Sequence, residues 1–245
     1  MPSITALLMT FAVSGVDPEM ANATWLNAPV ARPTDYPRFA SIVRAEGHVV
    51  VQCESLPTGA LSACTAMSEK PAGLGFGDEA VRVVERGRTV PRTVDGTPAA
   101  SRIQTRIPFR ISSEPPPKPG PWIGPEPTAG QRESARRWAI QAASRMPRFA
   151  RFGLEELPAD RRAVVTEWIT ELYPDRQKAQ EIFTVAAARL LAEIGLAEMP
   201  PTRPLDEGTW NRRFAAASAD QFDGAAADAE LRRRYCARYE CAPSR

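Results

Sequence analysis

Apolar and polar positions alternate across residues 48–56, with Val49, Val51 and Cys53 on one face, which is the period-2 signature of a half-buried strand. Pro57, Thr58 and Gly59 follow as a turn signal, and residues 61–67 read as the returning strand. Upstream, Tyr36-Pro37 opens a short helix over 38–45 that ends before Gly47. Downstream, a glycine-rich loop at 71–77 leads into a helix over 78–86. After Pro91 and an Asp95-Gly96 turn, a last strand is expected over 101–111. The first part of the chain therefore mixes α and β elements.

The pattern breaks at residues 112–127, SSEPPPKPGPWIGPEP. Proline at this density cannot enter a sheet or a helix interior and favours an extended polyproline II spacer, so this is a linker and a domain boundary. A proline-rich ligand for a partner domain is the other use of such a segment, and Trp122 is placed to dock onto a neighbouring domain. Beyond it the period becomes helical. Thr128 and Gln131 form a T-x-x-Q capping box ahead of a helix to about 146. A second helix follows Pro158 with a stripe of Val164, Val165, Trp168, Ile169 and Leu172. A third, with Pro174 in its first turn, runs to about 196 and carries Ile182, Phe183, Leu190 and Ile194. Pro200, Pro201 and Pro204 interrupt the chain, and one or two helices then cover 206–217 and 220–239. The fold class is α+β: a small domain with an antiparallel hairpin, a closing strand and two helices, followed by a separate all-α bundle over 128–245. No internal repeat is present.

Four cysteines fall as two local pairs, Cys53 with Cys64 and Cys236 with Cys241. With Thr58-Gly59 at the hairpin tip, residues whose numbers sum to about 117 face each other, and Cys53 and Cys64 do so. Opposed positions lie roughly 4.5 to 5.5 Å apart between Cα atoms, within the reach of a disulfide. Cys236 and Cys241 would sit about 140° apart on an unbroken helix, so they can bond only if the helix ends between them, near Tyr239. Even, close pairs suit two disulfides and an oxidising compartment, with buried free thiols as the alternative. Neither spacing is a zinc knuckle, and the single histidine, His48, cannot make up for it.

Charge and composition narrow the class. Hydrophobic residues are 43% of 245, enough for a core, and 31 basic against 29 acidic residues give no nucleic-acid footprint. Lysine occurs only at Lys70, Lys118 and Lys178, a bias that fits a GC-rich genome better than a phosphate-binding surface. Arg232, Arg233 and Arg234 read as a solvated helix face. Residues 4–13 are an apolar run followed by Ser14 and Gly15, so a signal peptide is expected over 1–15 and the mature chain is expected in the periplasm without a membrane span. The run lacks a preceding lysine or arginine, which leaves a misplaced start or a buried N-terminal segment as alternatives.

Several features together carry a family resemblance. They are Tyr36-Pro37 with its helix, Glu46-Gly47 into VVVQC, the hairpin turn, the helix beginning DEAVRVV, Pro91, Asp95-Gly96-Thr97-Pro98 and the closing RIQTRIPFRI. Over residues 25–111 the chain resembles the TonB C-terminal domain family. More narrowly, it resembles small exported TonB-like proteins with cysteines in both hairpin strands and a motif here reading Glu69-Lys70-Pro71-Ala72-Gly73-Leu74-Gly75-Phe76-Gly77. The resemblance implies a small αβ domain that grips an outer-membrane transporter by β-augmentation, taking an extended peptide along a sheet edge. The strand at 101–111 occupies the matching place, which makes Ile103, Gln104, Thr105 and Arg106 the candidate docking edge; the other reading is a plain edge blunted by Arg102, Arg106 and Pro108. One departure is notable. Where family members carry large apolar residues four and two positions before the proline, this chain has Gly87 and Thr89, and the helical half is expected to fill the space. The domain also comes first, without the membrane helix of an energy transducer, so the resemblance bears on fold and compartment more than on energy transduction. For the helical half no resemblance is identified.

No catalytic, cofactor or metal residues are nominated. His48 faces away from Val49 and Val51 as a surface residue; the GLGFG glycines lack the lysine and hydroxyl of a nucleotide loop; Glu155-Glu156 reads as helix-end charge; and Cys236-x4-Cys241 is not a redox CxxC. Three functions stay open: a periplasmic binding module accessory to TonB-dependent transport, an envelope scaffold for another protein or peptidoglycan with the helical domain as second surface, and an enzyme hidden in the helical half. For the last, Trp138, Trp168 and Trp210 would have to line a pocket rather than a core.

Overall fold

A computed structural model describes residues 20–21, 23–111, 122–145, 152–200 and 205–241. The expected signal peptide at 1–15 and residues 112–121 of the expected linker lie outside them. In chain order the first half holds β1 (Met20–Ala21), β2 (Trp25–Asn27), a 3-10 turn (Pro33–Asp35), α1 (Arg38–Ile42), β3 (Gly47–Ser55), β4 (Leu61–Lys70), α2 (Phe76–Glu85), β5 (Arg88–Thr89), β6 (Arg92–Val94), β7 (Thr97–Ala99) and β8 (Ser101–Phe109).

The main sheet has the order β1-β8-β3-β4, with β3 antiparallel to both β4 and β8 and β1 parallel to β8. Alternation places Val49, Val51 and Cys53 of β3 on the same face as Ile103, Ile107 and Phe109 of β8, all buried. Against this face lies α2, whose Phe76, Ala80, Val83 and Val84 follow the i, i+4, i+7, i+8 spacing of a core-facing helix. Phe39, Ala40 and Val43 of the α1 region complete that layer.

Local chemistry sets the element ends. Helix α1 stops earlier than the expected 45 because Arg44 takes a left-handed conformation (φ 49°) and closes a Schellman motif: Arg44 N donates to Ser41 O and Ala45 N to Ala40 O. The Tyr36 hydroxyl donates to Ala45 O at 2.5 Å, with its ring edge-on to Phe76 and Phe109. Burial pushes this phenol up to about 12. In the hairpin, Val51 faces Ala66 and Gln52 faces Thr65, the register whose numbers sum to 117. A bulge with Ala63 at φ 48° follows, and Cys53 and Cys64 have Cα atoms 4.1 Å apart and sulfurs 2.03 Å apart. The returning strand continues to Lys70, and α2 begins at Phe76 rather than 78, because Glu69 Oε1 accepts from the backbone N–H of both Leu74 and Phe76 at 3.1 Å. Asp95 and Gly96 both have positive φ (50° and 78°), the type I′ geometry, and join β6 to β7 as a small hairpin.

The second half is α3 (Ala129–Arg145), a 3-10 turn (Leu154–Glu156), α4 (Ala159–Leu172), α5 (Arg176–Ile194), α6 (Glu207–Ser218) and α7 (Gly224–Arg238). The capping box is reciprocal: Thr128 N donates to Gln131 Oε1 and Gln131 N to Thr128 Oγ1. Pro174 is not in the first turn of α5 as expected; Asp175 is the N-cap, its carboxylate accepting from Lys178 N at 2.8 Å, and Pro174 precedes it. Tyr239 is extended (φ −129°, ψ 156°), which ends α7 and lets Cys241 turn back to Cys236 with sulfurs 2.06 Å apart. Helices α3, α5 and α6 bury small clusters of their own around Ala187, Leu191, Leu190 and Trp210. Helices α4 and α7 do something different: Val165, Ile169, Leu231 and Tyr235, with Leu154 and Leu157, enter the same core as the sheet. Among the described residues no helix is long and apolar enough to cross a membrane.

Candidate functional site

The outer side of β8 is the feature with binding capacity. Strand β1 pairs with it at only two positions, Met20 with Arg102 and Ala21 with Ile103. Ile103 is thus paired on both sides, to Ala21 and to Cys53, and its side chain is buried. From residue 104 to 109 no strand among the described residues covers the outer side, although every residue of this stretch pairs with β3 on the inner side. Of the four candidate edge residues, Gln104, Thr105 and Arg106 lie on the open stretch, and Ile103 lies where the chain covers itself. Pro108 removes one N–H from this edge without interrupting its pairing opposite His48.

Side chains alternate along the open stretch. Thr105, Ile107 and Phe109 are on the helix-covered face. Gln104, Arg106 and Pro108 are exposed on the opposite face. That face is a ladder of facing residues: Glu54 with Arg102 and Ser62, Gln52 with Gln104 and Thr65, Val50 with Arg106 and Ser68, His48 with Pro108 and Lys70. His48 is only half-exposed, and burial together with the Arg106 and Lys70 charges holds its imidazole below the usual histidine range.

A cavity of about 400 Å³ opens at the start of β8, lined among others by Ala23, Ser55, Thr89, Ser101 and Ile103. Its floor holds a hydroxyl pair, Ser55 Oγ and Thr89 Oγ1 at 2.6 Å, and Thr89 also donates to Gly59 O. Among the described residues its lining holds no imidazole or carboxylate. Thr89 is one of the two positions that departs from the family pattern, and its hydroxyl is buried and bonded rather than replaced by an apolar contact.

The other departure is filled from the N-terminal side, not by the helical half. A Cβ on Gly87 would stand 2.9 Å from Trp25 Cζ3, so the Trp25 ring lies against the glycine backbone. Strand β2 brings it there by pairing antiparallel with β5, Trp25 opposite Thr89. Sequence reasoning missed β2 and β5 because two- and three-residue strands carry no periodicity; the signal available was an aromatic residue in the stretch just before the domain's first helix and a glycine at an aromatic position.

The features weighed as catalytic take structural roles. The glycine-loop N–H groups point at Glu69, as above, and not at an anion site. Glu156 is half-buried, accepts from Phe39 N at 3.5 Å at the start of α1, and has its carboxyl pushed up mainly by burial. The three tryptophans are not brought together: Trp138 and Trp210 (ring centroids 6.2 Å) share an aromatic cluster with Phe214, whereas Trp168 packs against the core of the sheet. Trp122 folds over Gly124 and packs against the Trp210 cluster with the Arg189 guanidinium 5.8 Å from its ring. Arg233 and Arg234 are paired with Glu230, and Arg234 also with Glu171.

Residues 32–111 match the family model described as Gram-negative bacterial TonB protein C-terminal. Among solved structures, the solution NMR structure of the Pseudomonas aeruginosa TonB CTD is similar at 23% identity, over 42% of this chain and 95% of that one, with a TM-score of 0.28. No curated protein matches this chain.

Proposed function

Because residues 32–111 form a domain of the TonB C-terminal family, we propose that this chain is a protein-binding module of the bacterial envelope, accessory to TonB-dependent outer-membrane transport, and that it holds its partner by strand addition along β8. The observation that carries this reading is the outer side of β8. It takes a parallel strand at Arg102 and Ile103, and no strand among the described residues covers residues 104–109. Exposed N–H and C=O groups of a paired strand are a ready template for another chain, and main-chain bonds supply the affinity while alternate side chains supply the choice. Two disulfides fit an oxidising compartment such as the periplasm. The role is binding and not catalysis.

A second reading, an envelope scaffold, is favoured by one observation: α4 and α7 share the core of the sheet, so this part of the helical half offers a second surface joined to it. The test is site-specific photo-crosslinking in cells of a double-membrane bacterium from Gln104, Arg106 and, on β4 at the opposite edge of the sheet, Thr65. Crosslinks from Gln104 and Arg106 to an extended segment of an outer-membrane transporter support strand addition. Crosslinks confined to Thr65 or to the helical half, with the β8 positions silent, overturn it in favour of the scaffold.

A further inference from the structure

The ladder on the open sheet face has an uneven charge. Its members include Arg102, Arg106 and Lys70, all cationic, and a single carboxylate, Glu54. Glu54 stands directly opposite Arg102, so that row carries both signs of charge. Arg106 stands opposite Val50, with Ser68 beyond it on β4, and no acidic residue occupies its row. The next row is Pro108, His48 and Lys70, again without an acid. Glu69, the neighbour of Lys70 in sequence, belongs to the other face, where it holds the 74–76 backbone. Arg106 is also the middle of the three open-face positions on the uncovered stretch, between Gln104 and Pro108.

A strand added alongside β8 places its own open-face side chains roughly 5 Å from those of β8, close enough for direct pairing. Its other face meets Thr105, Ile107 and Phe109, which are apolar apart from one hydroxyl. Resting on the strand-addition reading above, we propose that the segment taken up along 104–109 is an acidic one, alternating apolar side chains toward the helix-covered face with a carboxylate beside Arg106. The partner is thus an extended, acidic stretch of an envelope protein, selected by Arg106 with Lys70 adding field from two strands away.

The test uses the full chain with its disulfides intact and three fluorescein-labelled nine-residue peptides: alternating valine with glutamate, with glutamine, or with lysine. Anisotropy gives affinity, and a photo-crosslinking residue in place of Gln104 reports whether the peptide lies on β8. The glutamate peptide is expected to bind about fivefold more tightly than the glutamine one, the upper range for an exposed ion pair, with the advantage shrinking as salt rises. Arg106→Glu is expected to reverse the order and favour the lysine peptide, which a loss of folding would not do. If all three peptides crosslink and bind alike, strand addition stands and the acidic selectivity is overturned. If none crosslinks at β8, both readings fall. If dextran sulfate or anionic vesicles bind in an Arg106-dependent way while the peptides do not, the face serves an anionic polymer or lipid surface and the proposal is overturned.

Discussion

The ring of Tyr235, near the end of the last helix, meets the ring of Phe39 edge-on with centroids 5.0 Å apart, and both side chains are fully buried. The two residues come from opposite halves of the chain, and their contact lies inside one continuous core. Around it, Arg161 Nη1 donates to Ala72 O at 2.7 Å and to the Tyr235 hydroxyl at 3.2 Å, and Glu156 meets the start of α1.

This contact makes the sheet and these helices unfold together. Tyr235→Ala should cost about 3 to 5 kcal/mol, as for other buried aromatic truncations. Tyr235→Phe keeps the ring and loses only the bond to Arg161, about 1 kcal/mol. Urea unfolding followed by tryptophan fluorescence and by far-ultraviolet circular dichroism should give coincident transitions, both shifted in the alanine variant. Two separated transitions, with the sheet domain unmoved, would show that the halves are independent.

Trp25 and Gly87 are a matched pair, and their coupling can be measured. Gly87→Ala forces a Cβ to 2.9 Å from the Trp25 ring and should destabilise the protein by about 1 to 3 kcal/mol, the usual range for overpacking. In a Trp25→Ala background the nearest atoms become the backbone oxygens of Val84 and Asn27, at 3.1 and 3.3 Å, and the same change should cost less. The double-mutant cycle should give a coupling of about 1 kcal/mol or more. Additive effects would mean that the ring does not occupy the place left by the glycine.

How much of this was legible in the sequence depended on the range of the signal. Val49, Val51 and Cys53 announce their face because period 2 is local, and Cys53 with Cys64 lies within a register fixed by one turn. The edge strand was legible from family likeness, but the pairing of Ala21 with Ile103 was not, since a two-residue parallel bridge leaves no pattern. Pro174 misled because proline suits several positions around a helix start, and the carboxylate of Asp175 decided which. The union of Tyr235 with Phe39 is beyond local reading altogether: it pairs residues from the two ends of the chain, and their neighbours in sequence would suit a separate bundle equally well.

The two disulfides should differ in their contribution. Cys53–Cys64 closes the longer loop, with a sequence separation of 11 against 5 for Cys236–Cys241. Chain entropy alone gives about 3 kcal/mol for the first and about 2 kcal/mol for the second. Cys53 is also buried in the core, so replacing both cysteines of this pair by alanine should lower the melting temperature more than replacing the Cys236–Cys241 pair. Calorimetry on the two double variants and on the reduced wild type decides the order, and an equal or reversed loss contradicts it.

Asp35 gives the stability a pH dependence with a defined sign. Its carboxylate receives two bonds from Arg86, at 3.1 and 2.5 Å, and one from Arg32 N at 2.7 Å, tying the 3-10 turn to the end of α2. The Arg86 bond, with help from Arg32, holds the carboxyl below the usual carboxylate range despite the opposing effect of burial. A depressed folded value means that the unfolded chain takes up the proton first, at about pH 4. The contribution is therefore fully present above that pH and is lost as pH falls through the folded value. Because the Arg86 side chain is 40% exposed, solvent screening limits the pair to about 1 kcal/mol. Asp35→Asn should lower the urea midpoint at pH 7 and approach the wild type as pH drops below about 4. A midpoint difference that stays constant down to pH 2 would assign the loss to packing around the turn and not to the ion pair.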